Sequence, residues 1–595
     1  MRRFGHLAIL GCGLALAAHT PHLLAQSASE PDGARGDAPG EIARDSAVKE
    51  PTTHQAIGRL IEVWGFVKYH HADAREGRLA MDVEFFTLYP KIRAATSLGE
   101  ADAVLAGWLE ELGPGAPCDP CASDPAADTV AIASKTAQWL STQPQEMSGY
   151  LRAIYDNRSA ADGHFHVKPA RGVRNPVLAN EPDYSATTTL EDEATRLLTL
   201  ADQYNTLRYW FPYRDVMDKS PSAILTPAIA DFLAATTSEQ RHHAMARMGA
   251  MSDDGHVGIS EIFASLQPDA KCTLPYSVRP AEGAIVFDGR AAPTTGEDEE
   301  ASVKGGDILT HVDGMATQEL IAAIDPLISA SNDASRQRQW ASWLSRGPCG
   351  ARAVTVDRGG KPVNVSLEWA AFKQIDARRM SSFERDGDVI QSLEGGITYV
   401  RFPRFKNENL AQLIETANAG NGLILDMRGY VDDFTVFTLG ALLVDEPTPF
   451  VRFTNPDYST PGRFVWTDPL VLQPDSQGRR ITVPVVALVN EATVSSSEYH
   501  AMAYRAGGAT IIGSQTAGAD GNVSTMPLPD GSRMRFSGIG VYYPDGRPTQ
   551  RVGIVPDIEA APTIAGIAQG RDEALERAMD HLNSAASLAD LAQSD

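Results

Sequence analysis

From residue 371 onward, short apolar runs alternate with stretches of helical periodicity, and no other feature limits the fold as strongly. Segments 397–402, 422–427, 485–490 and 509–513 read as buried strands, and 407–418, 434–444 and 497–506 read as helices. Pro484 stands just before the third strand, where a missing N–H is tolerated best. Alternation of this kind implies a largely parallel α/β domain over 371–580. In such sheets, sites gather at the carboxyl ends of the strands.

The upstream half has a different texture. Shifted by 140 residues, Leu60 falls on Leu200, Trp64 on Tyr204 and Tyr69 on Tyr209, and 94–100 resembles 234–240. Each copy predicts two or three helices around an aromatic core. The first repeat spans 53–145, a connecting segment 146–190, and the second repeat 191–271. The second copy ends in Ser252-Asp-Asp-Gly-His256, where the first has Gly113-Pro-Gly115. His256 is therefore not needed to fold the helical unit. Segment 272–370 turns β-rich, with a strand pattern at 283–287, a turn, strand and turn over 303–314, and a hairpin closed by Arg358-Gly-Gly-Lys361. Its Gly-Gly-Asp-Ile-Leu stretch resembles the PDZ pattern, a module that captures peptide ends by strand addition. The segment 321–346 is longer than a minimal PDZ helix connection requires.

Arg2, Arg3 and the apolar stretch after them read as a signal peptide over 1–25, cleaved after Ala25. Lipid attachment at Cys12 is the competing reading. A flexible linker is expected over 26–52 and a C-terminal tail over 581–595. The chain is expected in the periplasm or outside the cell, with no membrane span once the signal is removed. Cys118, Cys121, Cys272 and Cys349 then form an even set in an exported chain, so Cys118–Cys121 and Cys272–Cys349 are disulfide candidates. A net charge of −24 argues against nucleic acid as a partner.

The strand at 485–490 runs into Asn490-Glu-Ala-Thr-Val-Ser-Ser-Ser-Glu498 and then a helix. A serine at such a turn exposes its hydroxyl beside the N–H donors of a helix end. Three serines before a glutamate are equally a helix cap. The wider pattern separates the two. This stretch resembles the serine signature of the carboxy-terminal-processing (tail-specific) proteases and their tricorn-core relatives. In the family's order, Leu425-Asp-Met-Arg-Gly429, Ile512-Gly-Ser-Gln-Thr-Ala-Gly518 and Val552-Gly-Ile-Val-Pro-Asp557 resemble its other motifs. The resemblance covers about 57–580. It implies a multidomain α/β protein: a duplicated helical region, a PDZ-like domain and a ClpP/crotonase-like catalytic domain.

The resemblance makes Ser495 the nucleophile of a serine-type peptidase, with Thr493 and Ser497 on the flanking signature serines. The processing branch activates its serine with a lysine whose place is taken here by Ala519, and no lysine follows Lys406. A histidine base is the remaining solution. His256 matches the tricorn-like histidine, with His164 and His166 as rivals and His500 expected to be packed or solvated. Gln550 and Glu498 are the candidate third members, with Glu491 and Asp254 as other carboxylates within the argument. The backbone N–H groups of Ser496, Gly429 and Tyr430 are expected to form the oxyanion hole, although Asp432 and Asp433 stand where the family has glycines. No metal or organic cofactor is expected. The substrate is a polypeptide or peptide, and oligomeric state is left open. The alternative is a PDZ-type peptide-binding scaffold with a degenerate protease domain.

Overall fold

The computed structural model describes residues 42–186, 192–259, 267, 269–291, 303–375, 383 and 385–594. The chain falls into two units, Met1–Val48 and Lys49–Asp595, and every feature of the site lies in the second. The expected signal peptide, Cys12 and residues 26–41 of the expected linker lie outside the described residues. The rest of that linker is not loop. Helix Ile42–His70 already runs through it, because Ala, Arg, Lys and Glu are good helix formers.

Two helix triplets follow. The helices Met81–Ala94 and Leu98–Leu112 have counterparts at Pro221–Ala234 and Ser238–Ala250, displaced by 140 residues. The helix Glu193–Trp210 stands opposite Ile42–His70. The two long helices meet at equivalent positions. A Cβ on Gly65 would fall 2.0 Å from the Asn205 side chain, so only glycine lets the helices close. Asn205 uses that approach to donate its Nδ2 to the carbonyls of Ile61 (3.0 Å) and Ala201 (2.9 Å). Trp64, Tyr204, Tyr209 and Trp210 are buried in the shared core. Truncating any of them to alanine costs about 3–5 kcal/mol.

That core also takes in Met526, Met534 and Phe536 from a hairpin of the C-terminal part, Val523–Pro527 with Arg533–Ser537. The hairpin pairs in turn with Gly258–Ile259, the strand just past His256. Helical packing, hairpin and histidine are thus one mechanical unit.

The β-rich segment holds the strands Tyr276–Ala281, Ala284–Ala291, Ile308–Val312, Gly350–Asp357 and Pro362–Ala371 in one antiparallel sheet. Helices Thr317–Ile324 and Asp333–Leu344 fill the long stretch after 316. Cys272 and Cys349 are disulfide-bonded across this segment, and Cys118 is bonded to Cys121. The 77-residue separation of the first pair is worth roughly 4 kcal/mol on a loop-entropy argument.

The C-terminal sheet runs in the order Ile390–Leu393, Ile397–Arg401, Gly422–Asp426, Val485–Val489, Thr510–Gly513, Ile558–Glu559. Its first pair is antiparallel and the rest are parallel. The carboxyl ends of its parallel strands therefore share one edge. Helices Leu410–Asn418 and Ser496–Ala506 occupy two of the expected places. The third is shorter than expected. Instead of 434–444, only Val436–Gly440 is helical. At its end Gly440 packs its bare Cα against Leu472, where a Cβ would lie 2.8 Å from the leucine. The expected tail from 581 is not a tail either. Helix Glu573–Ser594 continues through it, and Ala574, Leu575, Ala578 and Leu582 lie on Ile424, Val486 and Leu488 at helical spacing.

Candidate active site

Three hydroxyls alternate along the turn after Val485–Val489, and two of them are engaged in structure. Thr493 Oγ1 accepts from the Asn490 amide (3.1 Å) and donates to the Met427 carbonyl (2.9 Å). Ser497 Oγ donates to the Gly429 carbonyl (3.0 Å) and accepts from the Val431 amide (3.3 Å). Both bind the turn to the carboxyl end of the neighbouring strand. The middle residue, Ser495, sits at φ 57°, ψ −119°, a backbone region that L-residues rarely adopt. Such a conformation costs about 1–3 kcal/mol and persists only where its surroundings impose it. Here the Ser495 amide donates both to Ala519 O (2.9 Å) and to Glu498 Oε2 (3.0 Å). The Tyr430 phenol lies against Ser495.

Glu498 is the clamp. It is fully buried, and its two oxygens accept from Thr516 Oγ1 and from the amides of Gly518 (2.8 Å), Ala519 (3.1 Å) and Ser495. Burial pushes its carboxyl above the usual range, against the pull of these donors. Glu498 therefore ties the Thr516–Ala519 turn to the serine and does not reach toward a base.

Ser496 begins the helix, where amides lack intrahelical acceptors. The Tyr430 amide has no acceptor among the described residues. The Gly429 amide is different. It donates to Met427 O at 2.9 Å, so the expectation that it is a free donor is corrected by a local turn that consumes it. Asp433, a concern from the sequence, points away. Its Oδ2 accepts from Asn407 N and Nδ2, both at 2.9 Å.

His256 enters on the turn after Ser238–Ala250. Ser537 Oγ lies 2.9 Å from both His256 Nδ1 and Asp254 Oδ1. A serine hydroxyl has one proton to give. Giving it to the carboxylate places the imidazole proton on Nδ1 and leaves a lone pair on Nε2. Direct separation of His256 Nδ1 and Asp254 Oδ1 is 3.9 Å. Asp254 is fully buried and accepts further from the amides of His256 (3.1 Å) and Ser537 (2.8 Å). Burial holds the His256 pKa below its ordinary value; Asp254 opposes this, while Arg535 and Arg338 add to it. The imidazole is thus neutral near pH 7.

Gln550 does not touch His256. Its Nε2 donates to Asp254 Oδ1 (3.1 Å) and Ser331 Oγ (3.2 Å), and it orients the carboxylate. The histidine turn and the serine turn are adjacent. Gly255 faces Ala519, where a Cβ would lie 3.0 Å from that alanine's, and Ala519 is bonded to Ser495. A strap from the β-rich segment holds both turns. Ser329 Oγ donates to Asp254 O (2.8 Å), Ser331 Oγ accepts from Gly255 N (2.8 Å), and Asn332 Nδ2 donates to Thr516 O (2.8 Å).

The other histidines stand elsewhere. His164 and His166 lie in the helical region, the former partly and the latter fully buried, with His166 3.5 Å from Glu181. His500 is packed, with Nδ1 on Ser496 O at 2.5 Å and Nε2 accepting from Thr435 N at 3.1 Å; burial pushes it down to about 4. Glu491 pairs with Arg279 at 3.4 Å. Ser537, Ser331 and Arg338 were not singled out by the sequence, since isolated serines and arginines carry no spacing signal. Among the described residues no cluster of His, Cys, Asp and Glu is placed to hold a metal, and no helix is long and apolar enough to cross a membrane.

Residues 396–560 match the family described as peptidase family S41. A carboxy-terminal-processing protease of Bartonella bacilliformis is 26% identical over 269 residues, 44% of this chain and 55% of that protein. The chain thus spans about half the length of that curated relative. Among solved structures, mature CPAF complexed with lactacystin has a TM-score of 0.49 at 14% identity, covering 66% of this chain and 98% of that one. The photosystem II D1 C-terminal processing protease has a TM-score of 0.37 at 18% identity, covering 65% and 99%. Over residues 396–560 the chain is thus similar to peptidase family S41, and over 269 residues to a carboxy-terminal-processing protease.

Proposed function

We propose that this protein is an exported serine peptidase acting on polypeptides, with Ser495 as nucleophile and His256 as general base. The observation that carries the reading is that one hydroxyl of the three meets a side chain, Tyr430, and is not spent on backbone. Thr493 and Ser497 are committed to backbone, while Ser495 is held at a strained helix entry beside the histidine turn. Nε2 of His256 takes the Ser495 proton as Oγ attacks the scissile carbonyl. The amides of Ser496 and Tyr430 receive the developing oxyanion. Nε2 then returns the proton to the leaving amine. Water, deprotonated by the same nitrogen, hydrolyses the acyl-enzyme. Asp254 stabilises the imidazolium through Ser537, as the carboxylate of a serine–histidine triad does directly. Export rests on the signal-like N-terminus. The 140-residue offset of the helix triplets supports a duplicated region, and the sheet with its two helices supports a PDZ-like domain that presents chain ends.

The test is fluorophosphonate labelling of the mature protein with peptide mapping of the adduct. The expected adduct is on Ser495 and is lost in His256→Ala. Well-folded protein that takes no label overturns the peptidase reading in favour of a peptide-binding scaffold.

A further inference from the structure

A cavity of about 430 Å³ lies outside the catalytic turns, where the helical region meets the loop carrying Gly462. Its size is that of a small-molecule pocket. Its walls include Trp139, Tyr209, Arg208, Arg214, Lys135 and Glu62.

The charge of these walls is unbalanced. Arg214 is buried, and its hydrogen bonds all go to backbone carbonyls, those of Arg208 (3.3 Å), Ala133 (3.0 Å) and Gly462. No carboxylate among the described residues lies within salt-bridge distance of it, and burial pushes its guanidinium down to about 10. Arg208 has only a loose partner, Glu62 Oε1 at 3.8 Å, and its Nη1 makes no hydrogen bond. Glu62 is already occupied by Trp139 Nε1 (3.1 Å) and Tyr204 Oη (2.9 Å). Lys135 on the rim is matched by Asp215 at 3.2 Å. One positive charge is left in excess. The Tyr209 hydroxyl, on a side chain that is 1% exposed, also has no partner.

A buried cation and an unused buried phenol are each costly unless something satisfies them. Trp139 supplies a flat apolar wall, with the Arg208 guanidinium 4.6 Å from its ring centroid. We propose that this cavity binds a small organic monoanion, a carboxylate on an aromatic or flat apolar body. The carboxylate is received by Arg208 and the Tyr209 hydroxyl in the field of Arg214, and the body lies against Trp139. The site is separate from Ser495 and independent of whether the protein is a peptidase.

Calorimetric titration of the full mature chain with phenylacetate and with its neutral isostere phenylacetamide tests this. Phenylacetate should bind at least tenfold more tightly than the amide. Arg208→Gln should remove that preference, and Trp139→Leu should weaken both probes alike. If Arg208→Gln does not fold, Lys135→Glu on the exposed rim should weaken phenylacetate several-fold and leave the amide unchanged. Equal affinity for the two probes, binding of neither, or a preference that survives these charge changes overturns the proposal.

Discussion

His256 Nδ1 reaches Ser537 Oγ at 2.9 Å, and through this serine it communicates with a buried aspartate rather than touching one. The hydroxyl sets the tautomer, so Ser537 is a positioning residue. Ser537→Ala should lower kcat/KM about tenfold, the worth of one hydrogen bond of about 1–1.5 kcal/mol. KM should change little. Asp254→Asn should cost more, since the imidazolium then loses its counter-charge. Progress curves on an unfolded protein substrate, with fluorophosphonate labelling rates, check this. Wild-type kinetics in Ser537→Ala would remove the relay from the mechanism.

The pH profile has a defined sign. His256 must be neutral to accept a proton, and burial holds its pKa below the ordinary 6.5. kcat/KM should therefore be flat from about pH 6.5 to 8 and fall with unit slope only at lower pH. Arg338 contributes to the depression. Arg338→Met removes a positive neighbour and should move the acid limb upward. A limb that stays in place would mean that the Arg338 charge does not reach the imidazole.

Glu498 accepts from four donors in a dry site, and only two carboxylate oxygens can do so. Glu498→Gln places an NH₂ group against amides that also donate. The expected loss is about 1–3 kcal/mol of stability, the cost of leaving buried donors unpaired. Ser495 labelling should slow as its strained backbone relaxes. Chemical denaturation and labelling kinetics read the two effects separately. Loss of labelling at unchanged stability would instead put Glu498 in the chemistry.

The sequence exposes what repeats or alternates. Four buried strands, the serine turn and His256 follow from periodicity or from the order of motifs, because each needs several residues at fixed spacing. Ser537 and Ser331 do not, since their role is created by the hairpin that delivers Ser537 to Asp254 from 283 positions away and the strap that delivers Ser331 to Gly255 from 76. The same holds for Gly429. Its motif was legible, but the short turn that consumes its amide depends on the path of one backbone. The length of helix Glu573–Ser594 was missed because its apolar stripe, from Ala574 to Leu582, is sparse and straddles the expected boundary.

Buried histidines give the fold its own acid sensitivity. His500 accepts from Thr435 N and is held at about 4, against about 6.5 in an unfolded chain. Between those values the unfolded chain binds a proton that the folded chain refuses. Stability is therefore complete above about pH 6.5 and falls as pH drops toward 4, by about 3 kcal/mol for this group. His70 and His164 are shifted in the same direction by burial and add to the slope. Urea denaturation at a series of pH values should show the midpoint falling steadily below pH 6.5. His500→Gln keeps a buried polar group on the Thr435 amide but cannot take up a proton, so its stability should depend on pH by about one proton less across that window. An unchanged slope in this variant would show that His500 already titrates normally in the folded chain.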